Sequence, residues 1–151
     1  MGEHILAYLD LEAAQDGGRI RDIGALREDQ TVYHGGSLRE LTGFLRDVDT
    51  LCGHNLVHHD LPLLRQAAGL KWNGRVIDTL YLSPLLFPRR PYHALLKDDK
   101  LQVDELNNPV NDCRKARSLF QDERNAFLVL PPTVRQVYRN LLREVSEFRG
   151  F

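Results

Sequence analysis

The feature that most constrains this chain is an apolar run that ends in two acids. From Ile5 to Leu11 the apolar residues are nearly unbroken, as in a strand covered on both faces. Asp10 and Glu12 close that run at i, i+2 spacing. Side chains alternate along a strand with a period of two, so both carboxylates leave from the same face. Two acids side by side next to a buried strand repel each other and resist desolvation unless a cation offsets them. The plainer reading ends the strand at Leu9 and lets both acids point into water. The remainder of the chain decides between the two.

A length of 151 residues fits one domain with a proper core. Hydrophobic residues at 42% and charged residues at 27% are ordinary for a soluble globular chain. No apolar run approaches a membrane span and no signal peptide is read, so no membrane partner is expected. Cys52 and Cys113 are too few and too isolated for a disulfide framework or a zinc ribbon, which makes a reducing, cytoplasmic setting the default. A net charge of −1 argues against coating nucleic acid through bulk charge. It leaves room for gripping a few nucleotides at a metal-bearing site.

Asp16-Gly17-Gly18 is a strong turn signal. Arg19 to Leu26 and Thr31 to His34 then read as second and third strands of an antiparallel meander. Ser37 to Glu40 forms a capping box, and Leu38, Leu41, Leu45 and Val48 continue at helical spacing. Leu51 to Gly53 fits a fourth strand parallel to the first, since a helix separates them. His54 to His59 reads as a loop, with Asp60 capping a helix that Gly69 closes. Arg75 to Asp78 is a fifth strand and Thr79 to Leu86 a helix. Tyr92 to Lys97 predicts a short helix, and Lys100 to Asn108 a loop. Asn108-Pro109 opens a long helix. After Pro131-Pro132, an apolar stripe from Val134 to Phe148 predicts one final helix spanning 131–149. Antiparallel strands first, then strands separated by helices, give an α/β, three-layer architecture: a mixed five-stranded sheet with flanking helices, the ribonuclease H-like fold. Residues 1–151 read as a single domain, and the stripe at its end makes an origin in a longer protein plausible.

Two further acids stand at pointed positions: Asp60 after the polar run 54–59, and Asp112 in the first turn of the long helix. Either alone is explained by the helix macrodipole. With their flanks they resemble a known pattern. Leu9-Asp10-Leu11-Glu12 followed by Ile20 to Leu26 resembles the first exonuclease motif of the DnaQ-like DEDD superfamily. Gly53-His54-Asn55 running to Asp60, Leu63 and Leu64 is similar to the second motif, and Val76 to Leu80 to the strand and turn that follow it. Asn111 to Ala116 with Leu119-Phe120 resembles the third. The resemblance covers residues 5 to 120. It implies a 3′→5′ exonuclease in which Asp10, Glu12, Asp60 and Asp112 hold two divalent ions, Mg²⁺ or Mn²⁺, about 3.5–4 Å apart. It implies hydrolysis of the terminal phosphodiester and release of nucleoside 5′-monophosphates. His54 and Asn55 are expected to shape the loop before Asp60 or touch the substrate backbone, and Leu11 to wedge the terminal base.

The resemblance fails at the general base. One branch of the family carries a histidine five residues before its last aspartate, where this chain has Asn107; the other carries a tyrosine four before, where Asn108 stands. Three accounts follow. His93 serves as base once the intervening loop folds back, because a histidine takes a proton near neutral pH. Or Asn107 only positions a water whose pKa the metals lower. Or the site binds metal and turns over poorly, which gives a rival function: a non-catalytic nucleic-acid end-binding module. A third reading makes the final helix's stripe a docking surface.

Arg114, Lys115 and Arg117, just after Asp112, are candidate phosphate contacts. The segment 92–112 and the tail 137–151 resemble exonuclease domains fused to RecQ-like helicases, which favours DNA over RNA and implies a helicase fusion or association. Oligomeric state is not legible.

Overall fold

Alternation along the first strand divides the core in two. The computed structural model describes residues 3–95 and 108–151. In β1 (Leu6–Ala13), Ala7, Leu9 and Leu11 join the apolar cluster on one side of the sheet, and Tyr8 joins the cluster on the other. β1 pairs antiparallel with β2 (Ile20–Arg27), which pairs antiparallel with β3 (Val32–Gly35). On its other edge β1 runs parallel to β4 (Thr50–Gly53), itself parallel to β5 (Arg75–Asp78). The order is β3-β2-β1-β4-β5, the mixed five-stranded sheet expected from the sequence.

Helices α1 (Leu38–Phe44) and α2 (Leu61–Ala68) cover one face through Leu41, Leu45, Leu63 and Leu64. α3 (Thr79–Leu86) and α4 (Pro109–Leu128) cover the other through Leu82, Cys113 and Ala116. Leu9, Leu11, Ile23, Leu51 and Leu64 are at most 1% exposed. Burying each such side chain is worth about 1.5–3 kcal/mol, so these two sandwiched faces hold the short strands together. No helix among the described residues is long and apolar enough to cross a membrane.

Four expectations are corrected. α1 stops at Phe44, and only half of its capping box forms: Ser37 Oγ accepts from Glu40 N, while Ser37 N–H is taken by the Tyr33 hydroxyl. Tyr92 to Leu95 is not helical; Pro91 precedes it, and the His93 ring is tied to Ser83 of α3. The rest of that expected helix, with Lys97, Lys100 and Asn107, lies outside the described residues. The final helix, α5 (Pro132–Leu142), is shorter than the 131–149 expected. The chain turns out of it so that a 3-10 turn, Ser146–Phe148, and Gly150 can reach β5, where Gly150 N–H bonds the Val76 carbonyl at 2.8 Å. Its stripe does not close the core: α5 buries no residue, and Val137 and Leu141 are 53% and 67% exposed.

Candidate metal centre

Both N-terminal acids lie inside β1, which runs on to Ala13, so the strand does not end at Leu9. Asp10 and Glu12 share the parity of Tyr8 and therefore face α4. What brings α4 to them is Gly24. It is the β2 partner of Asp10, and a Cβ there would lie 2.4 Å from the Pro109 carbonyl carbon and 2.5 Å from Val110 N. Only glycine lets the first turn of α4 settle onto the strand at that point. Cys113 Sγ–H then donates to the Gly24 carbonyl at 3.3 Å. Asn108 caps the helix through Val110 N–H, with Pro109 in its first turn. Asp112, one residue before Cys113, is thereby carried over to β1.

The result is a cluster in which Asp10, Glu12 and Asp112 each offer one carboxylate oxygen, all within 4.8 Å of one another. It is the only group of this kind among the described residues. All three side chains are half-buried. Two full charges at that separation repel by roughly 3 kcal/mol at an effective dielectric of about 20. A helix N-terminus offsets only about 0.3–1 kcal/mol of that for Asp112. A divalent cation would offset that repulsion, and three hard oxygen donors suit Mg²⁺ or Mn²⁺.

Asp60 takes a different position from the one expected. It is in helical conformation at the end of a π-helical turn, Leu56–Asp60, and makes no cap hydrogen bond. Its Oδ1 instead accepts from Leu11 N–H at 2.8 Å. β4 is too short to use that N–H, because its pairing with β1 ends at Tyr8. Asp60 satisfies it and is tied to the acid-bearing strand between Asp10 and Glu12. The carboxylate is 1% exposed and Oδ2 has no hydrogen-bond partner among the described residues. Burial raises its pKa, against the pull of His59, whose Nδ1 lies 3.3 Å from Oδ1. That hydrogen bond in turn raises the His59 pKa. Asp60 is not among the three clustered acids.

Leu11 is 1% exposed with its side chain in the α1/α2 core, which leaves only its backbone to meet a substrate. Asn55 sits in the left-handed region at φ 65°. His54 Nδ1 is 2.9 Å from Thr79 Oγ1, and burial lowers its pKa to about 4, so it is neutral near pH 7. His93 Nδ1 is 2.7 Å from Ser83 Oγ. Asn107 lies outside the described residues. Arg117 pairs with Glu28 at 3.5 Å, and Arg114 bonds Asn111, so neither is wholly free for phosphate.

Reading the chain alone missed Asp78. Its fully buried carboxylate accepts from Asn55 N–H, Val57 N–H and Leu80 N–H at 2.9–3.1 Å. One side chain thus caps α3 and pins the turn that presents Asp60. Burial raises its pKa, partly countered by the three N–H donors. The signal was an acid ending a buried strand directly before a helix, the position of an N-cap.

Solved structures share this architecture. NrnC of Brucella melitensis, in a structure described as bound to pGG, aligns over 92% of this chain and 79% of its own, with a TM-score of 0.67 at 15% identity. The fold is ribonuclease H-like. The same NrnC with bound Mg²⁺ gives a TM-score of 0.68 at 15% identity over 92% and 80% of the two chains. Exonuclease X in complex with 5′ overhanging duplex DNA gives 0.52 at 19% identity, over 80% of this ribonuclease H-like chain and 91% of that one. No protein-family model matches the chain, and no curated protein does.

Proposed function

We propose that this chain is a metal-dependent 3′→5′ exonuclease that removes nucleoside 5′-monophosphates from single-stranded or unpaired DNA ends. The observation that carries the reading is the convergence of Asp10, Glu12 and Asp112 within 4.8 Å on a ribonuclease H-like sheet. When bound, two divalent ions supply a water of lowered pKa and charge stabilisation at the attacking and leaving oxygens. Asp10, Glu12 and Asp112 would hold them, and Asp60, anchored to Leu11 N–H, would support the second through water. Ser83 occupies one ring nitrogen of His93, which leaves Nε2 as the nitrogen that can take the water's proton. Asn107 is the alternative, as a residue that only orients the water. The ligands named for the similar structures, pGG and 5′ overhanging duplex DNA, support a nucleic acid as substrate. The preference for DNA rests on the resemblance to helicase-fused domains.

The test is degradation of 5′-labelled single-stranded DNA and RNA of one sequence with Mg²⁺ or Mn²⁺, alongside Asp10→Ala and His93→Ala. A ladder shortening from the 3′ end, faster on DNA and absent in Asp10→Ala, is expected. Loss in His93→Ala with metal binding intact assigns the base; an unchanged rate rules His93 out and leaves a water that Asn107 orients and whose pKa the ions lower. Tight end-binding without cleavage makes the chain a non-catalytic end-binding module instead.

A further inference from the structure

At the other end of the sheet from the acids lies a cleft of about 800 Å³. Leu6 and Tyr8 from the first half of β1, and Thr50 and Arg75 from the starts of β4 and β5, form its floor; α4, α5 and residues 148–151 form its walls. Its volume falls in the range of small-molecule sites, about 300–1,000 Å³. Its charge is opposite to that of the chain. The whole protein carries −1, yet among the described residues five arginines line this cleft, Arg75, Arg124, Arg139, Arg143 and Arg149, against one acid, Glu28. Glu28 is already engaged by the Tyr8 hydroxyl and Arg117. Arg75 pairs with Asp49, and Arg143 with Glu144. Arg124, Arg139 and Arg149 have no acidic partner within ion-pair distance among the described residues; Arg139 lies over the Phe127 ring instead. Guanidiniums gathered without acids repel one another, and an anion relieves that repulsion.

The same cleft gathers aromatic rings. Phe120, Phe127, Tyr138, Phe148 and Phe151 line it. Phe151 stands edge-on to Phe127 and Phe120 at 5.0 and 6.3 Å and is 37% exposed, which keeps ring surface open to a flat partner. An inorganic anion has no use for such a wall, and an apolar ligand has none for the arginines. A ligand that is planar and aromatic at one end and multiply anionic at the other uses both: a base stacks on the rings while a phosphate takes bidentate N–H donation from arginine.

We propose that this cleft is a second ligand site, separate from the acid cluster, for a nucleoside phosphate. The site stands on its own residues and does not depend on the nuclease reading. The test is calorimetric titration of the full chain in EDTA, where no metal-dependent hydrolysis occurs. The probes are adenosine 5′-monophosphate, inorganic phosphate and a short oligothymidylate. We expect the nucleotide to bind at least about tenfold more tightly than phosphate, and the double variant Arg124→Ala/Arg149→Ala to weaken it by about tenfold or more. Asp10→Asn is expected to bind as the parent chain does. Both arginines are exposed, so the double variant keeps its fold, and an unchanged thermal melt checks this. Oligothymidylate binding with the same arginine dependence, in place of the mononucleotide, assigns the nucleoside phosphate to a strand running over the cleft. No binding by either, phosphate binding equal to the nucleotide's, or binding lost in Asp10→Asn and kept in the arginine variant would each overturn the proposal.

Discussion

Asp112 and Glu123 lie on one face of α4, about three turns apart, and the fold treats them in opposite ways. Asp112 opens at the helix N-terminus into a half-buried cluster with Asp10 and Glu12. Glu123 is fully buried, and neither carboxylate oxygen has a hydrogen-bond partner among the described residues. Burial first, and then the nearby Asp78, push its pKa up to about 9, with Arg90 pulling the other way and Asp122 adding slightly. One acid is kept where a cation and water can reach it; the other is neutralised by a proton. Access, more than residue type, separates a site from a core.

Breaking that contrast at its open end has the largest expected effect. Asp112→Asn removes one of three converging ligands, and metal assistance is worth several kcal/mol at the transition state. Initial rates of strand shortening are expected to fall by at least about 10³-fold. A rate within about tenfold of the parent's would mean that Asp112 does not hold an ion needed for the reaction.

At the closed end, Glu123→Gln tests the proton. The folded pKa, about 9, lies above the ordinary 4.5, so the folded state holds the proton more tightly. Its stability contribution is fully present below about pH 4.5 and is lost as pH rises through about 9. At 1.36 kcal/mol per unit, the loss by pH 7 is on the order of 3 kcal/mol. Glutamine stays neutral, so urea unfolding from about pH 5 to 9 should show the variant gaining on the parent as pH rises. Parallel pH profiles would show that Glu123 is not a buried neutral acid. A smaller effect is expected at Asp78, which belongs to neither class: it is buried, yet satisfied by three N–H groups. Asp78→Asn gives up the charged acceptor of those bonds at a cost of about 1.5–3 kcal/mol. Hydrolysis should drop through misplacement of Asp60, while calorimetry finds Mn²⁺ binding at the three-acid cluster largely kept.

The mixed five-stranded sheet was legible because apolar runs, turn glycines and helix signals agree along residues 5 to 86, while the place of β5 at the edge beyond β4 shows only in the structure. The pair Asp10 and Glu12 was legible because spacing alone puts them on one face. The partnership with Asp112 came from resemblance, and its physical basis, the bare Cα of Gly24 under α4, shows only in three dimensions. Asp60 read as a helix cap because acids before helices usually are; a free N–H on the neighbouring strand claimed it instead. Glu123 gave no signal, since a glutamate within a helix is ordinarily solvated. The end of α5 was misread because apolar spacing continues past Leu142, while a backbone contact with β5 bends the chain away.

The most direct measurement is thermal unfolding of the parent chain and Asp10→Asn in EDTA and with increasing Mn²⁺. A ligand held by the folded state at about 100 times its dissociation constant stabilises it by about 2.7 kcal/mol. The parent chain should therefore melt higher with Mn²⁺ than in EDTA, and Asp10→Asn should lose that gain. Equal Mn²⁺ stabilisation of both proteins, or none in either, would contradict a metal centre at Asp10, Glu12 and Asp112.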